Sequence, residues 1–452
     1  MSTAAVILAA GLGTRMKSAL PKMLHPVAGR PMIAWGVESA RALHADAIVV
    51  VIGHGADRVR EAAGDGVEYA LQPEPLGTGH AVMQAEPLLR GRADTALVYY
   101  GDMPLLRAET LAELAERHQA TGATLTLLTL LADDPMGFGR ILRDADGHVV
   151  GIVEESEATP EQERIRELNC GVYCFRGEWL WPSLAKLRKS SRGEYFLTDL
   201  LEMAVAEGRR VAAVTTEDAE QMLGINDRTH LARAETIARR RIAERHMLGG
   251  VTFQDPASIY VDADVEIGAD TTVFANTHLL GRTRIGVRCC IGPNSVVRDS
   301  QIGDDCNVEA SVVEEALLEE HVDIGPFAHL RTGAHLARGV HMGNFGEVKN
   351  SYLGPGAKMG HFSYLGDAEV GADANIGAGT ITCNYDGERK HKTIIEEGAF
   401  IGSDTMLVAP VRIGKRAKTG AGSVVTRDVP PDTVVYGVPA RTCLEEKQES
   451  EK

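Results

Sequence analysis

From Ile259 onward an aliphatic residue followed by glycine returns in steps of six, and no other feature restricts the fold of this chain so tightly. The pairs include Ile267-Gly268, Ile285-Gly286, Ile291-Gly292, Ile302-Gly303, Ile324-Gly325, Leu353-Gly354, Met359-Gly360, Leu365-Gly366, Ile376-Gly377, Ile401-Gly402 and Ile413-Gly414. Such a period builds a parallel β-helix, in which about eighteen residues close one triangular coil of three short strands. The aliphatic residue points inward, glycine eases the corner, and coils stack about 4.8 Å apart, one interstrand spacing.

The first half has another rhythm. Apolar runs at 4–10, 47–52, 95–100, 124–131, 171–175 and 211–215 alternate with helical stretches. This predicts an α/β domain on a mostly parallel sheet, with ligands beyond the carboxyl ends of its strands. Residues 229–247 read as one helix, dense in Ala, Arg and Glu and stopped by Gly249-Gly250. Its Arg239-Arg240-Arg241 triplet reads as a solvated face, and the helix as a rigid spacer. The expected organisation is 1–228, a connector 229–249, and 250–452.

At 452 residues two or three domains are expected. A net charge of −16 and 5% aromatics argue against a nucleic-acid surface, so anionic ligands need local basic pockets. No signal peptide and no apolar run of membrane-spanning length stand out. The seven cysteines are scattered without zinc-ligand spacing, and read as reduced, mostly buried and cytoplasmic.

Ala9-Ala10-Gly11-Leu12-Gly13-Thr14-Arg15-Met16-Lys17 follows the first strand at once, with Pro21-Lys22 close behind. Glycines at a strand end let backbone N–H groups face an anion, and Arg15, Lys17 and Lys22 add charge suited to a nucleoside triphosphate. Both the dinucleotide fingerprint and the P-loop fail at Met16, where each needs glycine. A plain strand-to-helix turn with surface cations stays open from these residues alone. Gln72 to His80 forms a second glycine-containing loop, whose Gln72 amide can read a pyrimidine edge. Asp102 directly follows a buried strand and either caps a helix or holds Mg²⁺. Gly137 to Arg140, Val153 to Glu155, Leu168 to Gly171 and Gly224 to Asn226 add polar groups among glycines.

The string L-A-A-G-x-G-T-R-M, continued by P-K, resembles the signature of sugar-nucleotide pyrophosphorylases. With the later segments it resembles their N-acetylglucosamine-1-phosphate uridyltransferase subgroup. The resemblance implies a Rossmann-like nucleotidyltransferase domain in which Leu8, Ala9, Ala10, Gly11, Lys22, Gln72, Gly77 and Thr78 hold UTP or its product. Tyr100, Gly101, Gly139, Glu154 and Asn169 would hold the sugar side, and Asp102 with Asn226 would ligate Mg²⁺. Arg15 and Lys22 are the expected catalytic cations. Leu12 departs from the pattern, since many relatives carry lysine there.

In the repeat half, a polar loop at 381–393 leaves the coil, and its basic residues could meet coenzyme phosphates. His329, His335 and His341 are spaced by six, which places them on different faces and prevents a shared metal site within one chain. His361 opens His-Phe-Ser-Tyr364. The segments at 331–333, 343–349, 361–364 and 375–387 resemble the acetyltransferase half of the bifunctional members of that subgroup. This implies a left-handed β-helix, a homotrimer, and acetyl transfer from acetyl-CoA to glucosamine 1-phosphate before uridyl transfer from UTP to N-acetylglucosamine 1-phosphate. Arg331 and Lys349 would hold the sugar phosphate, with Tyr364 and Asn375 around the sugar. Ala378, Asn384, Tyr385, Ser403 and Ala421 would line the acetyl-CoA path, part of it from a neighbouring subunit. His361 would be the general base, and Ser403 would steady the oxyanion. An arginine that relatives carry for the coenzyme phosphates is matched by Gly437, leaving Arg441 nearby. Two other readings compete: a β-helix that only assembles subunits, and a scaffold that binds sugar nucleotides without catalysis. The charged tail 445–452 is expected to be disordered.

Overall fold

The computed structural model describes residues 2–190 and 193–442, and the chain divides into two compact units between Ala238 and Arg239. Seven strands form the main sheet of the first unit: β1 (Thr3–Leu8), β2 (Ala47–Ile52), β3 (Glu68–Leu71), β4 (Thr95–Tyr100), β5 (Leu125–Leu131), β6 (Glu167–Arg176) and β7 (Val211–Thr216). Their order is β7-β5-β6-β4-β1-β2-β3. Every neighbouring pair is parallel except those of β6. The chain leaves β5 through a hairpin, Arg140–Arg143 and Val149–Val153, instead of a crossover helix, so β6 re-enters antiparallel.

β1 is apolar throughout because both its faces are covered. Ala4, Val6 and Leu8 join one core with residues of helices Thr78–Met83, Gly177–Leu184 and Asp199–Ala206. Ala5 and Ile7 join the other, with residues of helices Met32–Ala42 and Ala108–Thr121. The carboxyl ends of β1, β3 and β4 lead directly into the three loops singled out in the sequence.

Helix Arg228–Leu248 starts in the first unit and ends in the second. Asp227 caps it, accepting the backbone N–H groups of His230 and Thr229, and the His230 bond above all holds its carboxyl down at about 2. The arginine triplet corrects one expectation. Arg239 is no solvated residue: it donates to the Ile259 carbonyl at 2.8 Å and covers the Tyr260 ring.

The second unit is a left-handed parallel β-helix whose described strands form three sheets of twelve, ten and nine. Met342, Met359, Ile376 and Ile401 pair in successive coils of the twelve-stranded sheet. Coils step by 17 residues at the first two of these pairings and by 25 at the third, where the polar loop leaves. Elsewhere in this sheet the step falls to 16, as from Asn307 to Asp323. The inward aliphatics are as expected.

The repeat glycines divide: Gly292 and Gly325 hold left-handed φ, as expected of a corner, whereas others serve a different purpose. Gly268, Gly286, Gly377 and Gly402 have no left-handed φ; a Cβ at Gly268 would lie 2.6 Å from the backbone of Gly286. Glycine is required because the next coil stacks directly on it. At corners that lack a left-handed glycine, residues such as Asp270, Arg288, Asp305, His321, Asp373 and Arg416 take that conformation.

Cys170, Cys174, Cys289 and Cys306 are buried, Cys290 is exposed, and all are free. Among the described residues no helix is long and apolar enough to cross a membrane. Cys443 and the 445–452 tail lie outside the described residues.

Candidate active sites

At the carboxyl edge of the first sheet a cavity of about 400 Å³ is lined by Leu8, Ala10, Gly11, Arg15, Lys22, Gln72, Gly77, Thr78, Tyr100, Asp102 and Asn226. Ala9 is absent from this lining; its side chain is buried in the core beneath. Gly101 backs the site, donating its N–H to the Leu8 carbonyl. Lys22 starts a short 3₁₀ turn after Pro21 and is 9% exposed. Its ammonium meets Asp102 Oδ2 at 2.5 Å and Asn226 Oδ1 at 3.3 Å, while Arg15 Nη2 reaches the same Asn226 oxygen at 2.8 Å. Gly13 makes this possible: it holds φ +63°, and a Cβ there would lie 2.5 Å from Lys22 Cβ. The loop at Gly224 to Asn226 is pinned by the Ile225 N–H, which donates to the Asp102 carbonyl.

Gln72 Nε2 donates to the Gly77 carbonyl and lies 3.2 Å from His80 Nδ1, which leaves Oε1 as the free end of the amide. Gly77 and Gly79 pack against the backbone of Tyr195, where a Cβ at Gly77 would fall 2.6 Å from the Tyr195 carbonyl. Thr78 Oγ1 accepts the Leu197 N–H.

The sugar-side residues gather beside Tyr100. Gly171 sits in a bulge of β6 at φ +70°, and a Cβ there would come within 2.4 Å of the Tyr100 ring. Asn169 Oδ1 accepts from the Gly171 N–H and the Tyr173 hydroxyl, so its Nδ2 protons remain available. The Asn169 N–H donates to the Gly139 carbonyl. Burial, then Glu157 and Asp199, raise the Glu154 carboxyl above its ordinary range. Burial first, with help from Asp102 and Glu154, keeps the Tyr100 phenol protonated.

In the β-helix, His361, Ala378, Ser403 and Ala421 stand two residues past the inward position of four successive coils. Corner hydrogen bonds tie them into a column: Gly379 to Phe362, Asp404 to Ala378, and Gly422 to Ser403. His361 is exposed. Across the ten-stranded sheet, Arg331, Lys349 and Gly366 form a second column at the opposite edge. Arg331 pairs with Glu347 at 2.8 Å, and Glu347 neighbours Tyr364. A Cβ at Gly366 would lie 2.3 Å from the Tyr364 hydroxyl and 2.8 Å from Asn384 Nδ2, so glycine lets those groups converge.

Asn384 therefore stands beside Tyr364, on the edge away from His361, and donates to Asp367 at 2.6 Å. Burial opposes ionisation of Asp367, but the amides of Asn350 and Asn384, with Lys390 and Lys349, outweigh it and lower its pKa. Asn375 faces outward from the twelve-stranded sheet. Tyr385 bridges to Lys390 at the base of the polar loop. The loop's polar groups are partly committed, since Lys392 pairs with Glu369 and His391 Nε2 lies within hydrogen-bond distance of Asp386. His329, His335 and His341 fall in three different sheets, each against its own carboxylate, Glu314, Glu319 and Asp323.

Sequence reasoning missed Glu194, which lines the cavity, Tyr195, which packs against Gly77 beside it, and Asp199 near Glu154. No local signal marks them, because their partners lie far away in sequence.

Comparison with known proteins matches both halves. The nucleotidyl transferase family matches residues 4–230, the hexapeptide repeat of succinyl-transferase 282–313, and the bacterial transferase hexapeptide (six repeats) 392–427. The bifunctional protein GlmU of Trichlorobacter lovleyi is 49% identical over 96% of this chain and 95% of its own. The GlmU of Geobacillus thermodenitrificans is 48% identical over 96% and 95%, and that of Exiguobacterium sibiricum 50% identical over 95% and 96%.

Proposed function

This chain belongs to the GlmU family of bifunctional proteins and makes UDP-N-acetylglucosamine, and we propose that each unit carries one step on the residues described above. The first unit transfers uridylyl from UTP to N-acetylglucosamine 1-phosphate: a sugar-phosphate oxygen attacks the α-phosphorus in line, and pyrophosphate leaves. Two polyanions must be held together, so positioning and charge neutralisation dominate the catalysis. Arg15 and Lys22 supply cations at the phosphates. Gln72 Oε1 accepts the N3–H of uracil, where cytosine would present a lone pair instead. The free Nδ2 protons of Asn169 face the sugar, beside Tyr100 and Glu154.

Mg²⁺ fits this site, since Asp102 Oδ2 and Asn226 Oδ1 converge on a single cation position. Magnesium takes few protein carboxylates and prefers phosphate and water oxygens. When bound between Asp102 and Asn226, it would supply positive charge to offset the negative charge that develops on the phosphates.

The second unit acetylates glucosamine 1-phosphate. Arg331 and Lys349 hold the phosphate at one edge of the sheet, and His361 waits at the other. Imidazole gains and loses a proton near neutrality, so His361 removes one from the substrate ammonium. The amine nitrogen then bonds to the thioester carbonyl carbon, the C–S bond breaks, and the nitrogen's second proton goes to the departing coenzyme A thiolate. The Ala378 N–H, one coil above His361, and Ser403, one further, face the developing oxyanion. A convex corner cannot enclose a ligand alone. A threefold assembly of copies supplies the second wall, bringing Asn384 and Tyr385 of adjoining copies to the coenzyme path while Asn375 stands with Tyr364 around the sugar, and a cytoplasmic setting belongs to the same reading.

The convergence of Arg15, Lys22, Asp102 and Asn226 at the sheet edge carries this reading. With each step assayed on its own substrates, UTP with N-acetylglucosamine 1-phosphate or acetyl-CoA with glucosamine 1-phosphate, Asp102→Ala should abolish pyrophosphate release and spare thiol release; His361→Ala should do the reverse. Loss of both activities in either folded variant would defeat the assignment of one step to each unit.

A further inference from the structure

Between them Lys22 and Arg15 occupy the two oxygen donors that the metal would use: Lys22 touches both Asp102 and Asn226, and Arg15 touches Asn226. Asn226 Oδ1 accepts from Lys22 at 3.3 Å and from Arg15 at 2.8 Å. An amide oxygen has two lone pairs, and both are engaged. Asp102 Oδ2 lies 2.5 Å from the Lys22 ammonium, which is almost fully withdrawn from water. A divalent cation arriving alone would have to strip a lysine from its counter-ion and leave it buried and unpaired against a second positive charge. That arrangement is strongly unfavourable.

A triphosphate changes the balance. The glycine turn that would cradle it presses directly on Lys22 through Gly13, and Arg15, Lys22, Asp102 and Asn226 line one cavity with that turn. Phosphate oxygens can therefore take both cations over without moving them out of the cavity, which exposes Asp102 and Asn226 together. We propose that Lys22 and Arg15 gate the divalent-cation site, occupying its oxygen donors until a nucleoside triphosphate draws them off, so that metal and nucleotide bind as one unit. This rests on the assignment of Asp102 and Asn226 as metal ligands.

The test uses the full-length protein, Mn²⁺ followed by its electron paramagnetic resonance signal, and α,β-methylene UTP, whose α–β linkage cannot be cleaved. Complexation of Mn²⁺ by the free analogue is measured separately and subtracted. In the wild type the analogue should tighten Mn²⁺ binding by roughly tenfold or more, and Mn²⁺ should tighten analogue binding by the same factor. Lys22→Met should bind Mn²⁺ without nucleotide at least about tenfold more tightly than wild type, with a correspondingly smaller coupling factor. Arg15→Met, at an exposed position, should shift both in the same direction and covers the case in which Lys22→Met does not fold. A cooperative melting transition of the first unit, well above the temperature of the binding measurement, shows that each variant is folded.

Lys22→Met and Arg15→Met variants that bind Mn²⁺ no more tightly than wild type would overturn the gate. Adding Asp102→Asn to Lys22→Met should abolish the gain; if the gain persists, the metal assignment itself fails, which distinguishes that failure from failure of the gate.

Discussion

Gly13→Ala tests how the phosphate turn is built. The residue holds φ +63°, and an added Cβ would lie 2.5 Å from Lys22 Cβ, where ordinary contacts begin at 3.4 Å. A left-handed alanine costs about 1–2 kcal/mol. For a unit of this size that lowers the melting temperature by about 2–4 °C per kcal/mol. The remaining contact must be relieved by moving Lys22 or the turn by about 0.9 Å, and a displacement near 1 Å at a positioned group costs about 10²-fold in rate. The assay is kcat/KM for pyrophosphate release from UTP and N-acetylglucosamine 1-phosphate, with thiol release from acetyl-CoA as an internal control that should not change. Gly11→Ala is the comparator, because a Cβ there meets nothing within 4 Å. It should leave stability intact and raise KM for UTP by crowding the nucleotide. Wild-type kcat/KM and melting temperature in Gly13→Ala would refute the claim that Gly13 seats Lys22.

Two other outcomes follow from geometry. Burial above all, aided by Arg176, lowers the pKa of His118 from 6.5 to about 4. As pH falls from 6.5 toward 4, the unfolded chain takes up a proton that the native one refuses, so the first unit loses stability across that window. His118→Gln should flatten this part of the melting-temperature profile; an unchanged slope would exclude His118 as its source. Gly343→Ala would bring a Cβ within 2.0 Å of the Gly360 carbonyl, directly before His361, with no flexible side chain to yield. Thiol release and the melting temperature of the second unit should both fall while pyrophosphate release from UTP and N-acetylglucosamine 1-phosphate persists, whereas Gly360→Ala, with nothing within 4 Å, should be mild on stability.

The fold was legible where burial is periodic. Strands 47–52 and 95–100 coincide with unbroken apolar runs because both faces of a parallel sheet are covered. β3 was not legible, since four residues with half-buried Glu68 and Tyr69 at a sheet edge leave no pattern. The hairpin that reverses β6 escaped for a similar reason: its strands mix arginine, valine and glycine. The hexapeptide period announced the β-helix, but the reason for glycines such as Gly268 and Gly377 is a contact between coils, which one hexad cannot reveal. At the sites, the phosphate turn could be read because its glycines and cations are adjacent in sequence. The ion pair between Lys22 and Asp102 spans 80 residues and could not. Tyr195 against Gly77 is likewise a product of tertiary packing. The separation of His329, His335 and His341 could be worked out beforehand, because a six-residue step moves a residue to the next sheet.

The most direct measurement supplies glucosamine 1-phosphate, acetyl-CoA, UTP and Mg²⁺ to the purified full-length protein and follows free thiol and pyrophosphate separately. Thiol should appear first and pyrophosphate after a lag, the two converging on equal amounts as UDP-N-acetylglucosamine accumulates; omitting acetyl-CoA should abolish both. Pyrophosphate release without acetyl-CoA, or release of neither product, would contradict the account.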